Sequence, residues 1–436
     1  MRKKVIAAAL AAALAPGMAL ATDGYFSHGY GMKGKGMAGA GMALAHDAFG
    51  GANNPATMVW AGDRFDVGLD WFSPNRDIAR TGSAAGIDGA VKSDSNDFWI
   101  PEFGYNRMLN PRMSLGVTVY GNGGMNTNFP GGQIPAASAC ASFNPLGAGG
   151  APFNMLCGTG PLGVDLIQLV VAPTVAYKIN DNNSIGIAPL LGYQRFKAEG
   201  LQGFTGFSQD PTKLTNNGYD SATGYGVRIG WMGKLSDKVS LGAAYSTKIF
   251  MSKFDKYAGL FADQGDFDMP ENYGVGVAFT PDSKWTIALD YKHIAYSGIN
   301  SVGNPSTNFG PMPPNSLGPS NGRGFGWDDV NVLKLGIEYQ YSSALTLRAG
   351  YDRTDNPIQA RDVTFNMLAP GVVQDHYTLG FTYTLDDTNE ITAAYMHAME
   401  NSVSGSSLFN IFGVPAGNET IRMHEDSFGI AWGHKL

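Results

Sequence analysis

Hydrophobic and polar positions alternate along most of the chain after residue 63, and the alternation has a period of two. Phe65, Val67, Leu69 and Trp71 fall on one side of the first run, with Asp66, Gly68 and Asp70 on the other. Successive side chains of a strand point to opposite faces, so such a run is a strand with one greasy and one polar side. The next runs cover about Phe98 to Arg107 and Ser114 to Tyr120, joined by a tight turn at Asn110-Pro111-Arg112. The third strand is expected to dissolve into Gly121-Asn122-Gly123-Gly124, because a glycine cluster in a strand marks a bulge or kink.

The same unit then repeats: a strand, a short turn, a strand and a long loop. Pairs are predicted at Asp165 to Ile179 with Ile185 to Phe196, Tyr225 to Trp231 with Leu241 to Ile249, and Tyr273 to Phe279 with Trp285 to Tyr296. Val330 to Tyr341 with Leu345 to Tyr351, Tyr377 to Leu385 with Ile391 to Met399, and a last strand from Ile421 to Leu436 complete the set. About 14 strands with short turns at one end and long loops at the other predict an all-β, closed antiparallel transmembrane barrel. The turns belong in the periplasm and the loops outside the cell.

Ahead of the strands, Gly29 to Met58 is too rich in glycine for an ordinary strand or helix. It carries apolar surface at Phe49, Val59, Trp60 and its methionines, so it reads as a plug inside the barrel over residues 22–61, with the barrel at 62–436. Arg2, Lys3 and Lys4 precede an apolar run from Val5 to Leu14 and then Ala19-Leu20-Ala21, which predicts a signal peptide over residues 1–21. That run is too short to span a bilayer, and no later segment is long and apolar enough to do so as a helix.

Composition agrees with a barrel. A chain with 59 glycines, 15% charged residues and a mean hydropathy of -0.12 is less charged than most soluble domains but far less apolar than a helical membrane protein. A net charge of -7 argues against nucleic acid as a partner. The two cysteines, Cys140 and Cys157, fall in one long loop of an exported chain, so a disulfide is expected and a metal or catalytic role is not. Inward parity falls on Asp66, Asp70, Glu102, Arg228, Lys248, Asp290, Lys292, Lys334, Glu338, Arg348 and Asp352, whose expected role is to brace the plug.

In its plan and in certain residues the chain resembles the FadL/TodX (OMPP1) family of outer-membrane channels for long-chain fatty acids and other hydrophobic compounds. The residues that carry the resemblance are Asn54-Pro55-Ala56 at the end of the plug, Tyr120 to Phe129, Met269-Pro270-Glu271, Leu345 to Tyr351, and Tyr395-Met396-His397. The resemblance implies passive uptake of fatty acids or hydrocarbons through the bacterial outer membrane, without a cofactor. It also implies a hatch gated at Asn54, Pro55 and Ala56, and a lateral exit at a kink in strand three over Gly121, Asn122, Gly123 and Gly124, with the kink glycine at Gly124. Fatty-acid members place basic residues near the tops of strands five and ten, where this chain has Gly200 and Asp328, so Arg195, Lys197 and Arg323 become the candidates for a ligand carboxylate. Expected partners are the hydrophobic solute, outer-membrane lipid and lipopolysaccharide, and the barrel-assembly machinery, which would read the last strand of a monomer. Leu436 departs from the usual terminal aromatic.

Two readings from other classes stand beside this one. An outer-membrane hydrolase could use His293 with Asp290 and Ser297, although the odd spacing of 290 and 293 sends those two to opposite faces. A structural or adhesive barrel leaves the plug and the kink without a role.

Overall fold

The computed structural model describes residues 23–147, 150–308 and 316–436. The expected signal peptide, with Thr22, lies outside the described residues. Fourteen long strands follow one another round a single antiparallel barrel. They are β1 (Arg64–Thr81), β2 (Phe98–Asn110), β3 (Met113–Asn126), β4 (Gly163–Lys178), β5 (Asn183–Glu199), β6 (Asp220–Lys234) and β7 (Val239–Ser246). The second half comprises β8 (Asn272–Phe279), β9 (Trp285–Ile294), β10 (Val330–Gln340), β11 (Leu345–Thr354), β12 (Asp375–Thr384), β13 (Asn389–Ser406) and β14 (Asn418–Lys435). Closure comes from β14 against β1, paired from Arg64 opposite Lys435 to Thr81 opposite Asn418. Two short segments join the sheet: Gly89–Lys92 beside the upper part of β1, and Phe250–Met251 beside β6.

Alternation explains the strands. Val67, Leu69, Ile185, Ile187, Ile229, Leu335, Leu379 and Ile430 are exposed on the outer face, where lipid replaces water, while Asp66, Asp70, Glu102, Arg228 and Asp352 are buried inside. Short polar side chains close the turns: Asn110 accepts from the Arg112 amide, Asn180 from Asn182 and Asn183, Asp282 from Lys284 and Trp285, and Asp386 from Thr388 and Asn389. These turns lie at the end of the barrel where β1 starts and β14 finishes. The long connections gather at the other end and fold over it with their own aromatic core, including Phe204, Phe254, Phe261, Phe267 and Phe409. Several strands run past the predicted limits, since alternation fades where β1, β13 and β14 leave the bilayer but their ladders continue.

Residues 23–63 run inside this wall. Apart from α1 (Met32–Lys35), α2 (Met58–Ala61) and two single 3-10 turns, the segment is irregular, and Met37, Ala38, Ala40, Asn54 and Met58 are fully buried.

Candidate functional site

The wall has a window. Pairing between β2 and β3 runs up from the turn only as far as Phe103 opposite Val119, although β2 begins at Phe98 and β3 continues to Asn126. Above the gap the edges meet again, where the Asp94 amide donates to Asn128 O at 2.8 Å and the Asn128 amide to Ser93 Oγ at 3.0 Å. On its other side β3 stays paired with β4 throughout, so the expected dissolution of the strand does not occur. The irregularity is one extra residue at Asn122, between Gly121 (opposite Leu169) and Gly123 (opposite Gln168). Gly124 pairs in register with Ile167, so the bulge is at Asn122 and not at Gly124. The Asn122 side chain turns inward and donates to Gln168 Oε1 at 3.1 Å.

The beginning of the inner segment occupies the β3 edge that β2 leaves open. Phe26 forms an antiparallel bridge with Gly123; the Ser27 amide donates to Asn122 O at 3.1 Å, and the Gly124 amide donates to Tyr25 O at 3.2 Å. Gly123 is required by this approach, because a Cβ there would stand 1.8 Å from Tyr25 O. Tyr296 anchors the same segment from the loops: the Tyr25 amide donates to its hydroxyl at 3.1 Å, and that hydroxyl donates to Asp23 O.

Asn54, Pro55 and Ala56 are elsewhere. The Asn54 side chain donates to Met42 O at 2.8 Å and Trp231 O at 2.9 Å and accepts from the Ala56 amide at 3.1 Å, while Pro55 opens a 3-10 turn. Wall glycines admit the tripeptide, since a Cβ on Gly186 would meet Pro55 at 2.4 Å and one on Gly230 would meet Asn54 at 2.0 Å. The three residues therefore pack on β5 and β6 instead of filling groups opened by the kink.

The inward charges tie the segment down. Lys35 Nζ is 2.7 Å from Asp70 and 3.6 Å from Glu102; Lys334 Nζ is 3.0 Å from Asp23 and 2.8 Å from Asp352. Asp290 accepts the Gly41 and Met42 amides at 2.8 Å each, Arg228 donates to Gly51 O at 2.8 Å, and Arg348 pairs with Glu338 at 2.7 Å. Lys292 lies over the Phe26 ring at 5.0 Å. Lys248 departs from the set, lying beyond the end of β7 with its amine on Gly298 O. Pairs buried to this extent add little net stability while intact, but losing one partner strands a charge. They fix position.

Under the loops is an apolar pocket, lined mainly by Leu156, Phe196, Leu201, Phe204, Phe261, Phe325, Phe365 and Leu368. Arg323 and Ser301 bring polar groups to it. Arg323 donates to Ser306 O and lies 5.5 Å from the Phe412 ring; burial pulls its guanidinium down to about 10, so it is cationic at neutral pH. Arg195 and Lys197 do not reach the cavity. Both lie on the outer face of β5, on the opposite side from Phe196, over the Tyr219 ring at 4.1 and 5.4 Å. Cys140 and Cys157 are bonded to each other in the loop beside the cavity, which Leu156 lines. A second, smaller pocket lies behind the window, between Tyr25, Phe72, Arg76, Gly124, Met125 and Trp327. Phe325 of the first and Trp327 of the second have rings 6.5 Å apart.

The family model of the outer membrane protein transport proteins (OMPP1/FadL/TodX) matches residues 155–407, more than half of the chain. The chain belongs to this family. As a member of the OMPP1/FadL/TodX family it is an outer-membrane transport protein. Its barrel matches the toluene transporter TodX of Pseudomonas putida with a TM-score of 0.68 at 18% identity, over 94% of this chain and 99% of that one. A FadL homologue of Pseudomonas aeruginosa matches at 0.64 and 16%, and the toluene transporter TbuX of Ralstonia pickettii at 0.61 and 17%, each over 94% of this chain and 99% of the other. At these identities the likeness is one of fold. No curated protein matches the sequence.

Membership of a family of transport proteins fits a chain that is not an enzyme, and the hydrolase arrangement does not assemble. Asp290 points inward to the Gly41 and Met42 amides, whereas His293 is on the outer face with Nδ1 3.0 Å from Asn331 Oδ1. The sequence reading missed Tyr25 to Ser27 as the edge partner and Arg76 as a side chain of the window. The sequence signal for the first is two aromatic residues beside the glycine-rich run, and for the second an arginine of inward parity in β1, which Arg64 and Arg80 share.

Proposed function

We propose that this protein takes up hydrophobic compounds passively: solute collects in the cavity beneath the loops, passes the start of the inner segment, and leaves sideways through the β2–β3 window into the membrane. Residues 23–61 serve as the hatch. The observation that carries this reading is the unpaired upper edge of β3, open to the wall and held by three residues of the segment that fills the lumen. An apolar solute gains nothing by crossing into the periplasm, whereas a gap beside an apolar cavity lets it reach lipid without rehydration. The hatch element that moves is Tyr25 to Ser27, with Asn54-Pro55-Ala56 as the fixed end. The protein acts as a monomer without a cofactor or hydrolytic activity. Its outer wall meets lipid and lipopolysaccharide, and β14 is the strand offered to the barrel-assembly machinery.

Ser27 and Asn122 are opposite each other across the bridge, so a Ser27→Cys/Asn122→Cys pair tests the path. Oxidised, the pair should stop uptake of radiolabelled oleate and toluene by intact cells, and a reductant should restore it, with each single variant as control. Undiminished uptake through fully cross-linked protein would exclude exit past this edge.

The solute class follows from the cavity. Neutral hydrocarbons, such as the toluene of the TodX and TbuX names, need only its apolar walls, while an acid also needs Arg323. Arg323→Met should lower oleate uptake roughly tenfold, the factor that about 1.4 kcal/mol of a charged hydrogen bond represents, and leave toluene uptake within about twofold. Equal losses for both probes would show that Arg323 shapes the loops rather than meeting a head group.

A further inference from the structure

The window is spanned by one side chain. Arg76, on the inner face of β1, donates from Nη1 to Asn126 O at the top of β3 and from Nη2 to Ser95 O in the segment leading into β2. One planar guanidinium thus joins the two edges that the ladder leaves apart, using the fork of donors that lysine lacks. Arg76 is buried, with its Cζ 5.9 Å from the Phe98 ring, and it lines the cavity behind the window.

Beside it is a carboxylate with nothing to do in this arrangement. Glu425, on β14, is fully buried, and neither of its side-chain oxygens has a hydrogen-bond partner among the described residues. A buried carboxylate without a partner is costly and calls for an explanation. The register supplies one: Arg76 is opposite Met423 and Pro74 opposite Glu425, so Arg76 and Glu425 are diagonal neighbours on the inner face of adjacent strands, within reach of a long side chain.

We propose that Arg76 is a clasp with two resting places. On Ser95 and Asn126 it holds the window shut; swung to Glu425 it forms a buried ion pair and releases these two carbonyls, leaving the edges joined only above the gap at Ser93, Asp94 and Asn128. Glu425 is the receiver for the open state, and it is kept unpartnered so that the closed state does not become too deep. The hydrogen bonds given up on one side are replaced by an ion pair on the other, so the two states differ by little and the passing solute can decide between them. This rests on lateral exit through the β2–β3 window and names the residues that regulate it.

Glu425→Gln is the decisive variant, because it is nearly isosteric and touches no bond of the closed state. It should lower uptake of radiolabelled oleate and toluene about tenfold, as expected when the open state loses its differential interaction. Arg76→Met should raise uptake of both probes, and adding Glu425→Gln to it should change nothing further, since the receiver matters only while the clasp is present. Heat-modifiable gel mobility confirms a folded barrel for each variant. Normal uptake by folded Glu425→Gln, or effects of the two substitutions that simply multiply, would overturn the clasp. If the Ser27–Asn122 cross-link blocks uptake while Glu425→Gln does not, the clasp fails and the lateral path stands. If the cross-link itself leaves uptake intact, the path fails first.

Discussion

The barrel closes between β14 and β1 and opens between β2 and β3, and the two seams are built from strands with the same alternation. At the closing seam the ladder is continuous from Arg64 opposite Lys435 to Thr81 opposite Asn418. At the open seam it stops at Phe103 and Val119, and the upper β3 edge is satisfied by Tyr25 to Ser27 and by Arg76. Backbone groups cannot be left bare in a membrane, so an open seam needs a substitute partner. The first seam takes its partner from a neighbouring strand and is permanent. The second takes it from a lumen segment and a side chain, which is where the proposed path crosses the wall.

The comparison breaks most sharply at the top of the closing seam. Arg80 of β1 and Glu419 of β14 are fully buried, 2.5 Å apart, and Glu419 also accepts from Thr364 Oγ1 and from Ser407 Oγ at 2.7 Å. Arg80→Met leaves that carboxylate without its cation, which should destabilise the barrel by about 3–5 kcal/mol in equilibrium unfolding from detergent. Adding Glu419→Met should return much of the loss. A loss below about 1 kcal/mol in the single variant would mean that the ladder alone secures the seam.

Much of this contrast is legible in the sequence. Period-two alternation and short polar turns give the strands and their order, because lipid outside and charge inside force every residue to one face or the other. The same parity also places Arg195 and Lys197 on the outer face with Ile185, Ile187 and Leu191, so the cavity was never open to them. Proximity along the chain misleads where parity does not. The bulge position was not legible, because a run of glycines fits several registers equally well and only the neighbouring Leu169 and Gln168 choose among them. Nor was the seat of Asn54-Pro55-Ala56, since its partners are two glycines more than a hundred residues further on, each carrying no side chain to betray the contact.

The smallest and most selective test compares one glycine from each seam. An added Cβ at Gly123 would stand 1.8 Å from Tyr25 O, a backbone atom held by its own bonds, and one at Gly429 of β14 would stand 2.2 Å from Met32 Sδ. The two clashes look alike in distance but differ in what must move. A methionine thioether has three rotatable bonds and fills gaps adaptably, so Gly429→Ala should cost no more than about 1 kcal/mol and leave the inner segment in place. Gly123→Ala has no such relief: β3 is held by β4 on its far side, so Tyr25 to Ser27 must yield. The barrel should unfold as before, because the wall ladders are untouched, while a cysteine at Ser27 becomes open to a maleimide in the Gly123→Ala background and not in the Gly429→Ala one. Equal labelling in both backgrounds would show that the segment tolerates displacement from β3 without release, and the edge would then be held chiefly by Arg76.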